Sequence, residues 1–201
     1  FSENFYLISS YTQRLAMKKI TDSGLGDFFK RQSVYCVTPG YVSKKNKLDR
    51  ERYKEQLAQN AEFKDEFLKL VDLDAEAYGQ VNSAMALPKT DDDTKRRRKE
   101  ALQIALGDAA EVPLKGMMLA VRGLGALAAL APRCNKHLVS DLAGATHFLG
   151  AAFAGCLENV RVNAASLTDT TKRERLEKEC ARLGIEVRER QATIQKGMAS
   201  L

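Results

Sequence analysis

The chain is 201 residues long, 44% hydrophobic and 29% charged, with 4 prolines. That fits one soluble, helix-rich domain with a real core and leaves little room for two. A net charge of +6 and a sequence pI of about 9.1 point first to solubility and second to anionic partners. The 4 cysteines, Cys36, Cys134, Cys156 and Cys180, form no C-x-x-C pair, which argues against a zinc site and a disulfide scaffold and for a reducing, intracellular compartment.

The chain opens on Phe1 rather than Met and carries no signal-peptide pattern. This fits a trimmed product or fragment, with an import peptide removed and a mitochondrial or other organellar home. Over residues 1–20, Phe5, Ile8, Leu15 and Ile20 share a helical face. Residues 21–49 hold Gly24, Gly26, Pro39 and Gly40 with little periodicity, and read as a loop or insertion. From Leu48 to about Met85 apolar and charged residues alternate with helical period, and Leu87-Pro88 ends the run. Within it Asp72 and Glu76 are i,i+4 carboxylates, more simply solvated acids than a working pair.

Thr90-Asp91-Asp92-Asp93 opens the next helix, with acids where the dipole favours them. The run Lys95-Arg96-Arg97-Arg98-Lys99 points around most of the helix, so it cannot meet one ligand as a unit. Without interleaved aromatics or a binding motif it gives no sign of a nucleic-acid partner. Pro113 is expected to start a further helix. Met117 to Pro132 is apolar, but too short for a membrane span of ~20 residues and interrupted by Arg122, so it reads as a buried helix. No transmembrane segment is expected.

Asn135 to Asp169 is the stretch around which the rest is arranged. Leu138, Leu142, Ala145, Leu149, Ala152, Cys156, Val160 and Leu167 trace one apolar face of a long helix. Gly144, Gly150 and Gly155 make it thin, as if a neighbour must come close. Ser140 is expected as the N-cap and Asp141 at the positive end of the dipole. Residues 170–197 read as a charged amphipathic covering helix with Leu176, Cys180, Leu183, Val187 and Ile194 on its apolar side. No strand-like alternation of useful length occurs.

Several of these motifs also resemble one family. Asn135, Ser140-Asp141 and Asn159-Val160-Arg161-Val162-Asn163 follow the order seen in the cyclodeaminase/cyclohydrolase family. That family includes the formiminotetrahydrofolate cyclodeaminase domain and methenyltetrahydrofolate cyclohydrolases. Val71-Asp72-Leu73-Asp74-Ala75-Glu76-Ala77-Tyr78, Leu87-Pro88-Lys89, Lys95, Arg98 and Glu111-Val112-Pro113-Leu114 also fall in its order. The likeness covers roughly residues 60–170. It implies one domain over residues 1–201: an all-α, up-and-down bundle of about five or six helices.

The resemblance further implies a tetrahydrofolate derivative as substrate and no metal, in a homodimer with sites near the subunit interface. It assigns proton transfer to Asp141, placed by Ser140 and Asn135. Lys89, Lys95 and Arg98 would meet the anionic end of the folate, and Arg161 and Asn163 its ring system. His137 stands where the family usually has Asn, and both His137 and His147 read most simply as surface or capping residues. The family's Pro-x-Pro-Gly-Gly-Gly-Ser motif is not in this sequence; it would lie just before residue 1. Ser23-Gly24-Leu25-Gly26 and Thr38-Pro39-Gly40 are poor substitutes. Two functions therefore stay open: a folate-converting enzyme, or a non-catalytic structural or interaction subunit of a larger assembly.

Overall fold

The computed structural model describes residues 47–134 and 138–200. The chain divides into two units, Phe1–Leu57 and Ala58–Leu201, and the packing below belongs to the second. The helix expected over 1–20 and the insertion expected at 21–49, save 47–49, lie outside the described residues. Within them there are four α-helices, one 3-10 turn and no strand: α1 Lys47–Ala86, α2 Asp92–Leu130, the turn Ala131–Arg133, α3 Val139–Ala165 and α4 Thr170–Ala199. The all-α expectation holds.

Local chemistry sets most of the helix ends. α1 stops before Pro88, which disfavours the helical region for its predecessor. Asp91 caps α2: its carboxylate accepts from the Thr94 backbone N–H at 2.8 Å, while the Thr94 hydroxyl accepts from the Asp91 N–H at 3.1 Å. Two orphan donors are thereby satisfied reciprocally. Asp169 caps α4 by accepting from the Lys172 N–H at 3.0 Å.

α2 is the central rod, 39 residues and about 58 Å long at the helical rise. α1 runs antiparallel to it: Phe63 approaches Gly123, Leu70 approaches Gly116, and Arg98 reaches the carbonyl of Met85. α3 is antiparallel on another side, with Leu149 against Gly123, Cys156 against Gly116 and Asn163 bonded to Ala109. α4 is parallel to α2. Lys172 lies over Gly107, Arg175 pairs with Glu111, Cys180 donates to the Met117 sulfur, and Gly197 sits on Ala131. This is up-and-down connectivity.

The core follows from that arrangement. Leu114, Met117 and Leu124 of α2, Leu142 and Val160 of α3, and Leu176 and Ile194 of α4 are its largest fully buried side chains. Each contributes about 1.5–3 kcal/mol relative to exposure. With its 3-10 extension, α2 is the one described helix long and apolar enough to cross a membrane by length and composition; half of its apolar window is buried inside the protein.

Three local expectations are corrected. Pro113 does not start a helix but lies inside α2, because packing on both sides holds the helix through the missing hydrogen bond. Ser140 is not the N-cap of α3. That position is Leu138, with no side-chain cap bond, and Ser140 falls exposed in the first turn because the helix already begins at Val139. The buried face of α3 is also rotated from the expected one. Thr146 and Phe153 are buried while Ala152 is exposed, because α4 covers the flank that single-helix periodicity leaves open.

Candidate functional site

The site residues expected from the sequence separate into two groups at opposite ends of the bundle. At one end meet the α1–α2 turn, the start of α2, the end of α3 and the start of α4; Lys89, Lys95, Arg98, Arg161 and Asn163 all belong here. At the other end lie the 3-10 turn and the start of α3, with Ser140 and Asp141. Asn135 and His137 lie outside the described residues.

In the first group most side chains already hold a partner. Lys89 is exposed in the α1–α2 turn. Lys95 pairs with Asp92 at 2.9 Å, and Arg96 and Arg97 share Asp93 at 2.5 and 2.9 Å. All are solvated i,i+3 or i,i+4 pairs, worth a few tenths of a kcal/mol each (roughly 0.3–0.5). Arg98 differs. Its Nε donates to the Met85 carbonyl at 3.0 Å, satisfying one of the carbonyls left over at the end of α1. The two Nη groups carry no further bond among the described residues, so the guanidinium is held at one edge and presents the other.

Arg161 and Asn163, two residues apart, point to different faces of α3. Arg161 pairs with Glu158 at 2.6 Å and borders a groove of about 430 Å³ between α3 and α4, floored by Leu157, Val160, Ala164 and Ile185. Asn163 turns toward α2 and its Nδ2 donates to the Ala109 carbonyl at 3.1 Å. Gln103 escaped sequence reasoning. Its Nε2 donates to the Ser166 carbonyl at 3.0 Å, and its Oε1 accepts from the Thr168 N–H at 2.6 Å, tying the α3–α4 turn to α2. No local signal marks it, since its partners lie more than sixty positions away.

In the second group Ser140 is exposed and Asp141 half-buried. Cys134, 4% exposed, has its thiol pushed up by burial and then by the negative charge of Asp141, so that carboxylate faces the end of the 3-10 turn. Asp141 and Asn163 stand about 33 Å apart along α3 at the helical rise, so no single small ligand touches both within one chain. They nevertheless share a flank. Asp141, Ala145, Ala152, Asn159 and Asn163 recur at helical spacing along the side of α3 next to α2, half-buried or exposed throughout.

Elsewhere, Asp72 and Glu76 are exposed, as solvated helix acids are, and His147 is exposed on α3. Among the described residues no group of three or more His, Cys, Asp or Glu side chains could hold a metal ion.

The sequence profile of the formiminotransferase-cyclodeaminase family matches residues 37–182. The formimidoyltransferase-cyclodeaminase of Gallus gallus is 36% identical over 106 residues, 52% of this chain and 19% of that protein. Its Rattus norvegicus counterpart is 36% identical over 106 residues, covering 53% and 20%. A methenyltetrahydrofolate cyclohydrolase from Methylorubrum extorquens is 32% identical over 96 residues, 48% of this chain and 46% of that protein. The chain thus spans about a fifth of the animal relatives and about half of the bacterial one. The crystal structure of formiminotetrahydrofolate cyclodeaminase from Thermotoga maritima shares the fold, with a TM-score of 0.71 over 88% of this chain and 84% of that one at 21% identity.

Proposed function

The chain belongs to the formiminotransferase-cyclodeaminase family, and from that premise we propose that it acts on a tetrahydrofolate carrying a one-carbon bridge at N5. It is a cyclodeaminase/cyclohydrolase-like domain, and its reaction is loss of ammonia from the 5-formimino form or addition of water to the 5,10-methenyl form. Asp141 moves the proton in either case, supported by Ser140 and Asn135. Lys89, Lys95 and the open edge of Arg98 meet the anionic end of the substrate, while Asn163 holds its ring system. Arg161, assigned to the ring by the resemblance, borders the α3–α4 groove on the other face of α3.

The observation that carries this reading is the shared flank of α3. The proton-moving end and the binding end cannot meet within one chain, so the site is a composite of two copies. Antiparallel packing of two α3 helices, centred on the small, exposed Ala152, brings Asp141 of one copy beside Asn163 of the other. A two-fold axis then creates two equivalent sites. Purified chain is expected to form a dimer, and to turn over 5-formimino- or 5,10-methenyltetrahydrofolate. A chain that binds neither compound removes the reading.

A second reading is favoured by one observation: Lys95, Arg98, Arg161 and Asn163 each already have an intramolecular partner. Under it the domain is a non-catalytic subunit of a larger assembly, and these residues only hold helix ends together. Absence of folate binding together with co-purification in a stable complex is its expected outcome.

A further inference from the structure

Pro113 lies inside α2 and is buried. In a regular helix the N–H of that position would donate to the carbonyl of Ala109, four residues earlier. Proline has no N–H, and its ring also crowds that carbonyl. Ala109 is only 7% exposed, so water does not readily replace the missing donor, and an unmet buried carbonyl is costly. The Asn163 Nδ2, on α3, is 3.1 Å from this oxygen. A carbonyl can only accept, so the Asn163 carboxamide has to turn its nitrogen inward. Its Oδ1 accepts no hydrogen bond among the described residues.

We propose that Pro113 is a positioning residue acting through Asn163. By leaving the Ala109 carbonyl without its helical donor, it locks the carboxamide in one orientation and makes Oδ1 the atom offered to a ligand. The site then presents an acceptor at this point, matched to an N–H or O–H of the bound molecule rather than to a carbonyl. This ligand-facing role rests on the folate reading above; the coupling between positions 113 and 163 does not.

The substitution Pro113→Ala restores the backbone N–H, and with it a helical bond to Ala109, releasing Asn163. In the ¹⁵N-labelled chain, hydrogen exchange of the Asn163 side-chain amide, identified by its loss in Asn163→Leu, is expected to accelerate on that substitution. Asn163→Leu itself is expected to lower the folding equilibrium constant about 10- to 100-fold in the wild-type background and much less in the Pro113→Ala background. With 5,10-methenyltetrahydrofolate as probe, Pro113→Ala is expected to raise KM about 2- to 10-fold while moving kcat less. Unchanged amide exchange, or additive folding costs, overturns the coupling. Accelerated exchange with an unmoved KM overturns the positioning role and leaves Pro113 purely structural. A wild-type chain without turnover or folate binding overturns the functional reading and the acceptor assignment, while exchange and folding still decide the coupling.

Discussion

Burial pushes the Cys156 thiol up to about 11, and the Asp74 carboxylate adds to the shift. The folded state therefore holds this proton more tightly than the unfolded chain, whose thiol has the ordinary value of 9.0. The resulting stabilisation is complete below pH 9 and is lost as pH rises from about 9 to about 11. Urea unfolding across that window should show wild type losing stability relative to Cys156→Ala; parallel pH profiles would show that the thiol is not shifted. Cys156 is thus a small core residue kept neutral by its surroundings, and not a nucleophile. Asn163 makes the complementary point. Its polar group is at a helix end, where sequence reasoning assigned it to a ligand, yet its donor serves a backbone carbonyl of α2.

The helices meet through notches in α2 as well as at one of the α3 glycines on which sequence reading placed the close approach: a Cβ at Gly150 would lie 2.6 Å from the Gln191 side-chain nitrogen of α4. A Cβ at Gly144 would meet nothing within 4 Å, whereas one at Gly116 would lie 2.7 Å from the Cys156 sulfur. Gly116→Ala therefore gains helix propensity of about 0.5–1 kcal/mol but overpacks the α2–α3 contact at a cost of about 1–3 kcal/mol. The single substitution should destabilise. In a Cys156→Ala background the clash disappears, and Gly116→Ala should become neutral or stabilising. Thermal melts of the four proteins test this, and a clash cost that persists without the sulfur would contradict it. Gly123 admits no such single rescue, since Phe63 and Leu149 both press on it, at 2.7 and 2.9 Å.

At the scale of the whole molecule, the separation of Asp141 from the binding residues makes a prediction about pairs of chains. Asp141→Asn and Arg98→Gln should each abolish or greatly reduce folate turnover. Among the described residues the Arg98 side chain makes one bond, to the Met85 carbonyl at the end of α1, so the second change leaves the packed core untouched. When the two inactive proteins are unfolded and refolded together in equal amounts, half of the dimers should be mixed, each carrying one intact composite site. About a quarter of wild-type activity should return. A site contained within one chain would recover nothing on mixing, which separates the two arrangements without further structure.

The helical class, the limits of α1, the start of α2 and the family likeness were all legible in the sequence. They depend on interactions reaching only a few residues: apolar periodicity, Pro88 after Leu87, and the Asp91–Thr94 cap. The clamp of Gln103 and the inward turn of Asn163 depend on partners 54 to 65 positions away, and the rotated face of α3 and the unbroken path of α2 through Pro113 depend on packing against neighbouring helices. Only packing brings such groups together, and only packing decides whether a polar side chain meets a ligand or a carbonyl that the fold has left without a donor.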